Sequence, residues 1–111
     1  MPDKIEKLKG FQKKYLRGLA HKLKPVVLIG RNGLTGPLIK SADQALEKHE
    51  LIKIKFNEFK DKDQKTAISS RIEKETGSEV IGTIGHTVIF FRHQNDPEKR
   101  TIVLPRSSVQ S

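Results

Sequence analysis

Residues 26 to 40, VVLIGRNGLTGPLIK, decide how the chain folds. Val26 to Ile29 is an unbroken run of β-favouring residues, the pattern of a strand buried on both faces. The run stops at Gly30. Thr35 then offers the side chain of a helix N-cap, and Pro37 suits a first helical turn, where no backbone donor is needed. Ile39, Ala42, Ala45, Leu46 and His49 continue at helical spacing. The stretch therefore reads strand, turn, helix. Its turn, Gly30-Arg31-Asn32-Gly33, carries two glycines where a tight turn needs one. Glycines placed so, just ahead of a helix N-terminus, describe a backbone that another molecule approaches closely.

The flanking segments extend this alternation. Ile5, Leu8, Phe11, Tyr15, Leu16, Leu19, Ala20 and Leu23 recur at three- and four-residue spacing, which predicts a helix over 5–23 with one apolar stripe. Lys24-Pro25 ends it, since proline disfavours helix in the residue before it. Residues 51–56, LIKIKF, alternate as a strand with one covered face. Asp61 or Asp63 can cap a third helix, with Ala67, Ile68 and Ile72 inward and Gly77 as its stop. Val80 to Ile84 and Thr87 to Arg92 form two strands, and Gly85-His86 between them suits a type II′ hairpin. Residues 94–101 are polar and loop-like, and Ile102 to Leu104 can add a short edge contact. The order α-β-α-β-α-β-β predicts an α/β fold with a four-stranded mixed sheet. We expect one domain over residues 1–105 and a disordered tail at 106–111.

Charge narrows the class of partner. The 111 residues hold 22 Lys and Arg against 13 Asp and Glu, a net charge of +9. Residues 1–40 hold ten of those bases and only two acids, a net of +8, whereas the rest of the chain has twelve bases and eleven acids. An excess so lopsided points to a polyanion. On the first helix Lys14, Arg17 and His21 are spaced to line up along one side, with Lys13 and Lys22 beside them.

Other chemistries lack their residues. No cysteine is present, so disulfides and thiolate metal sites are excluded. His21, His49, His86 and His93 include no i, i+4 pair, so no metal is expected. No nucleophile elbow is seen, and we expect no enzymatic activity. The glycines of GRNGLTG do not match a dinucleotide fingerprint, and the lysine of a P-loop is missing, so no cofactor or small-molecule substrate is expected. The amino-terminal charges and the short apolar runs argue against a signal peptide or a membrane span. These features suit a soluble, cytoplasmic monomer that does not bind membranes. A turn of the G-x-x-G type brings a sugar-phosphate backbone against main-chain amides, as in KH modules, although there it joins two helices. The other reading is a module that docks on a ribosomal or other acidic protein.

The stretches LKPVVLIGRNGLT, HELIKIK and GSEVIGTIGHTVIFFR, in that order and spacing, resemble the CRM domain, named for chloroplast RNA splicing and ribosome maturation. The likeness spans roughly residues 7 to 105 and is nearest to the single-domain bacterial YhbY type. It implies a fold similar to the C-terminal domain of translation initiation factor 3. It also implies RNA binding through the G-x-x-G loop, and association with precursors of the large ribosomal subunit. The loop role falls on Gly30, Arg31, Asn32 and Gly33, with Thr35 heading the next helix and Lys13, Lys14, Arg17, His21 and Lys22 as supporting cations. His86 and Phe91 depart from the residues that the resemblance leads us to expect, a lysine and an aromatic hydroxyl.

Overall fold

The computed structural model describes residues 8–57 and 61–106. Three helices alternate with strands: α1 Gly10–Ala20, β1 Val27–Ile29, α2 Gly36–His49, β2 Leu51–Phe56, α3 Lys62–Thr76, β3 Glu79–Ile84 and β4 Thr87–Phe91, followed by a short 3-10 turn at Pro97–Lys99. One four-stranded sheet runs in the order β1-β2-β4-β3. β1 and β2 are parallel, as the α2 crossover requires, and the other two pairs are antiparallel.

The punctuation residues act largely as their chemistry dictates. Thr35 accepts from the Leu38 amide at 3.3 Å. Asp61 caps α3, accepting from the Gln64 amide at 2.8 Å, and Gly77 ends it at φ 71. In the hairpin Gly85 has φ 59, while Glu50 alone among the described non-glycine residues has positive φ, so His86 does not. Positive φ at only the first central residue is the type II′ arrangement.

The sheet separates two cores. Val27, Ile29, Ile52, Ile54, Phe56, Val88 and Phe90 face α2 and α3, meeting Ala42, Leu46 and Ile72. Leu51, Ile81, Ile89 and Phe91 face the other way, against Leu16 and Ala20 of α1. Because β2 and β4 are covered on both faces at the end with Leu51 and Phe91, runs such as Val88–Phe91 are continuously apolar.

Four expectations need correction. β1 is an edge strand rather than one buried on both faces: Val27 and Ile29 are buried, but Leu28 is 62% exposed. α2 covers one face of β1, and α1 lies over β2 and β3 instead. The first helix is shorter than 5–23, and Tyr15, Leu19 and Leu23 of its stripe remain exposed; Ile5 lies outside the described residues. On α3 the buried residues are Ser69, Ile72 and Thr76, and Ala67 is exposed. The inward stripe therefore lies two positions further round than Ala67 suggested, and two of its members are hydroxyls. Ile102 to Leu104 form no strand. Ile102 and Leu104 instead pack their side chains on the α1 core, and Gln12 Nε2 donates to the Pro105 carbonyl at 3.1 Å. Of the tail expected to be disordered, residues 107–111 lie outside those described.

Glu50 holds this C-terminal segment in place. Its side chain is 1% exposed. One carboxylate oxygen accepts from the Thr101 and Ile102 amides and the Thr101 hydroxyl, at 2.9, 3.1 and 3.1 Å. The other accepts from the Gln94 amide at 2.8 Å. Burial alone would raise the pKa, but the bonds from Gln94, Thr101 and Ile102 outweigh it and hold the group below its ordinary 4.5. A carboxylate stabilised in the folded state contributes in full above the unfolded pKa, and that contribution is lost as pH falls through the folded one. Replacing Glu50 with Ala leaves buried amides unpaired and should cost about 3 kcal/mol. Urea titrations across pH should show the wild type losing stability below about pH 4.5, the ordinary value of this group. Glu50→Gln should start lower and show a flatter acid limb.

Candidate nucleic-acid interface

The Gly30–Gly33 turn lies at the C-terminal end of β1. The Gly33 amide donates to the Gly30 carbonyl at 3.1 Å, closing a β-turn with Arg31 and Asn32 at its centre. Both central side chains are exposed. Gly33 has φ 77, so its glycine is explained by backbone geometry. Gly30 is different. Its φ is not in the left-handed region, and a Cβ added there would meet nothing within 4 Å. Nothing inside the fold requires a glycine at Gly30. The same holds for Gly10 and Gly18 of α1 and for Gly36, in the first turn of α2. That turn contains no acidic residue; Pro37 has no N–H and Thr35 takes the Leu38 amide, so the helix presents its dipole and the Gly36 amide.

Strand pairing brings other elements to this end of the sheet. The Asn57 amide donates to the Ile29 carbonyl at 2.8 Å, and the Phe56 amide donates to the His86 carbonyl at 2.7 Å. The G-x-x-G turn, the end of β2 and the β3–β4 hairpin tip therefore lie side by side. Lys65 Nζ stands 3.3 Å from His86 Nδ1, which adds the start of α3. Behind the hairpin, on the α3 face, is a cleft of about 520 Å³ lined by Lys62, Lys65, Thr66, Ser69, Thr83 and Val88 among others. Sequence reading missed Lys55, Lys62, Lys65 and His86 as neighbours of the turn. They come from separate stretches of the chain, around Lys55, Lys62–Lys65 and His86, and only the pairing of strands gathers them.

The α1 cations divide. Lys13 forms an ion pair with Glu79 at 3.3 Å. Glu79 is paired with Phe91, and Phe91 with Leu51, so Lys13 sits at the end of the sheet opposite the turn. Arg17 lies across Gly82, where a Cβ would come within 2.7 Å of its Cδ, and donates to the Ile81 carbonyl at 3.3 Å. Both side chains thus do structural work. Lys14, His21 and Lys22 are exposed. His21 and Lys22 follow the helix end, where Lys53 Nζ donates to the Leu23 carbonyl and the Val26 amide to the Lys53 carbonyl, both at 3.0 Å. From Val26 to Gly30 the strand advances about 13 Å at ~3.3 Å per residue. His21 and Lys22, just after α1, and the loop thus lie towards the two ends of β1, while Lys13 lies at the far end of the sheet and Arg17 over β3, at the opposite edge.

Among the described residues no group of three His, Cys, Asp or Glu could hold a metal, and no helix is long and apolar enough to cross a membrane.

One end of the sheet thus brings together a glycine turn and a helix N-terminus. Comparison with known proteins identifies the family. The model of the CRS1/YhbY (CRM) domain family matches residues 8–92, and the chain belongs to that family. A protein of Haemophilus influenzae named "RNA-binding protein" is 42% identical over 95 residues, covering 86% of this chain and 92% of that one. Bacillus subtilis "Probable RNA-binding protein YqeI" is 34% identical over 98 residues, covering 88% of this chain and 99% of that one. The solution structure of a Staphylococcus aureus protein, described as a candidate RNA binder, superposes with a TM-score of 0.75 at 34% identity. It covers 89% of this chain and 100% of the other.

The two glycines should respond differently to the same substitution. Gly33→Ala forces a Cβ into a left-handed conformation and should cost about 1 kcal/mol. Gly30→Ala should stay within about 0.5 kcal/mol of wild type. Thermal melts of the two variants measure the contrast.

Proposed function

We propose that this protein is an RNA-binding module, not a catalyst, that clamps the sugar-phosphate backbone on the Gly30–Gly33 turn. The observation that carries this reading is Gly30. Gly10, Gly18 and Gly36 share its lack of internal need, but Gly30 alone of the four opens a turn at a strand end, where a bare backbone leaves room for something approaching from outside. The turn has attributes that suit a phosphate: an exposed Arg31 and Asn32 at its tip, glycines on either side of them, and the positive end of α2 close by. Thr35 caps α2 and so fixes the helix start against the turn. Lys14, His21 and Lys22 of the α1 region extend the positive surface, with Arg17 over β3. Lys13 contributes to the long-range field while paired to Glu79. The names of the relatives support RNA as the partner class.

We further propose that the RNA is ribosomal and that the protein associates with precursors of the large subunit in the cytoplasm, as the family resemblance implies. Contacts through the backbone predict little base discrimination at the turn itself.

Binding measured against salt concentration tests the clamp. Gly30→Asp puts a carboxylate where a phosphate is to sit, and should abolish most RNA binding while the melting curve stays near wild type. Lys14→Ala with Lys22→Ala should weaken binding to all RNAs alike and lower the salt slope by roughly 0.7 for each phosphate no longer neutralised, taking single-strand behaviour. If Gly30→Asp binds as well as wild type, the turn is an ordinary tight turn and the clamp is wrong. Fractionating growing cells on sucrose gradients at low salt tests the ribosomal part. The protein should sediment with large-subunit precursors, and a protein that stays at the top of the gradient would end that reading.

A further inference from the structure

The sheet face that carries α1 is only half covered. α1 lies over the end nearest Glu79 and Leu51, and Arg17 reaches as far as Gly82. Beyond that the strand register lines up one residue from each strand. Leu28 pairs with Lys55, Lys55 with Thr87, and Thr87 with Ile84. All four point to the α1 side. Leu28 is the neighbour of inward Val27 and Ile29, and Lys55 and Thr87 alternate with Ile54 and Val88 of the other core. Ile84 keeps the same side because a bulge between Val80 and Gly82 shifts β3 by one residue. Among the described residues no helix covers this row. Leu28 is 62% exposed and Ile84 53%, with Val26 next to the row at 49%. Apolar side chains are thus left open at both edges of this face, with Lys55 and Thr87 between them.

We infer that this open row receives unstacked nucleobases of single-stranded RNA, while the phosphate backbone of the same strand crosses the Gly30–Gly33 turn. The inference rests on the RNA-binding reading above and specifies which form of RNA the site takes. Three observations favour RNA over a protein partner. First, Lys55 stands in the middle of the row, and interface cores between proteins are depleted of charge. Second, Lys53 lies two residues before Lys55 on the same side of β2, and Lys22 and Lys24 lie in the segment that leads into Val26, in a chain of net charge +9, which complements a polyanion. Third, Leu28 lies two residues before Gly30, so the row is continuous with the turn. The span from Leu28 to Ile84 is about 14 Å at ~4.8 Å per strand. Sheets of four strands hold two or three stacked bases in RRM modules. Here Leu28 and Ile84 supply the apolar surfaces, and the Lys55 ammonium and Thr87 hydroxyl supply hydrogen bonds to base edges.

Two measurements test this. In the first, Leu28→Ser with Ile84→Ser is compared with wild type for binding to a short single-stranded RNA over a range of salt. Removing the two apolar surfaces should weaken binding about tenfold at every salt concentration, since base stacking is worth ~1–3 kcal/mol for each base on an aromatic ring and less on an aliphatic side chain. The salt slope should be unchanged because every phosphate keeps its cation. Affinity for a fully paired RNA duplex should not move. The second uses the wild-type protein and so does not depend on the variant folding. Amide resonances of Leu28, Lys55, Ile84 and Thr87 are followed while adding an oligouridine strand, or an abasic ribose-phosphate strand of equal length. The inference expects shifts in the row with bases only, and shifts at Gly30–Gly33 with both. Equal shifts of the row with both strands, or a double variant that binds single strands as well as wild type does, would overturn the nucleobase row and leave the backbone clamp standing. A wild type that bound neither strand would overturn the RNA reading itself. Retained RNA binding together with loss of a co-purifying acidic protein would assign the row to a protein instead.

Discussion

The carboxylate of Glu50 is the constraint on which the rest of this fold depends. It sits where α2 passes into β2, with no intervening loop, on a non-glycine residue at φ 67. Such a conformation is costly unless the surroundings compensate. Here they do so with hydrogen bonds from Gln94, Thr101 and Ile102, so a charge that burial would oppose becomes a junction between three segments. The Arg92 amide also donates to the Glu50 carbonyl at 2.8 Å. The segment held in this way carries Ile102 and Leu104 into the second core. Without the junction, α1 would lose one wall of its apolar seat.

The same end of the sheet collects the other strong polar ties. Arg92 bridges Asp43, Glu47 and the Thr76 carbonyl, linking the C-terminal parts of α2 and α3 to β4. Gln94 reaches the Glu47 carbonyl, and Lys13 reaches Glu79. The opposite end is less constrained. It presents a glycine turn with Arg31 in it, the row of Leu28, Lys55, Thr87 and Ile84, and Lys62 and Lys65 of α3. The division makes physical sense. Side chains locked into internal networks fix the geometry at one end, and the opposite end keeps surface available for a partner. A phosphate clamp built from main-chain amides also needs rigid strands behind it, because its donors cannot move independently.

Much of the organisation is legible in the sequence because it rests on local chemistry. Thr35, Asp61, Gly77 and Gly85 each act within a few residues of themselves, so the breaks they cause need no knowledge of the fold. The alternation in LIKIKF reports a real difference between faces, and the G-x-x-G turn lies where the run of apolar residues stops. Local chemistry also misleads. VVLI reads the same whether a strand is central or at an edge, because its composition records β preference and not the number of neighbours. The α1 stripe likewise reads as wholly buried, although helix spacing says which residues share a side and not how much of that side is covered.

By itself, then, the sequence determined the order of elements, the mixed four-stranded sheet, the glycine turn before a capped helix and the concentration of positive charge in the first 40 residues. These follow from propensity, capping and composition, which act over short distances or over the whole chain. Tertiary structure decided what depends on pairing between distant segments. It placed β1 at the edge and lined up Leu28, Lys55, Thr87 and Ile84, residues up to 59 positions apart in the chain. It separated Lys13 from the turn and set Lys65 beside His86. It also gave Glu50 its role, since a glutamate in HELIKIK looks like any solvated charge until Gln94 and Thr101 close over it. Strand register and burial are collective outcomes of packing, and no single stretch of sequence contains them.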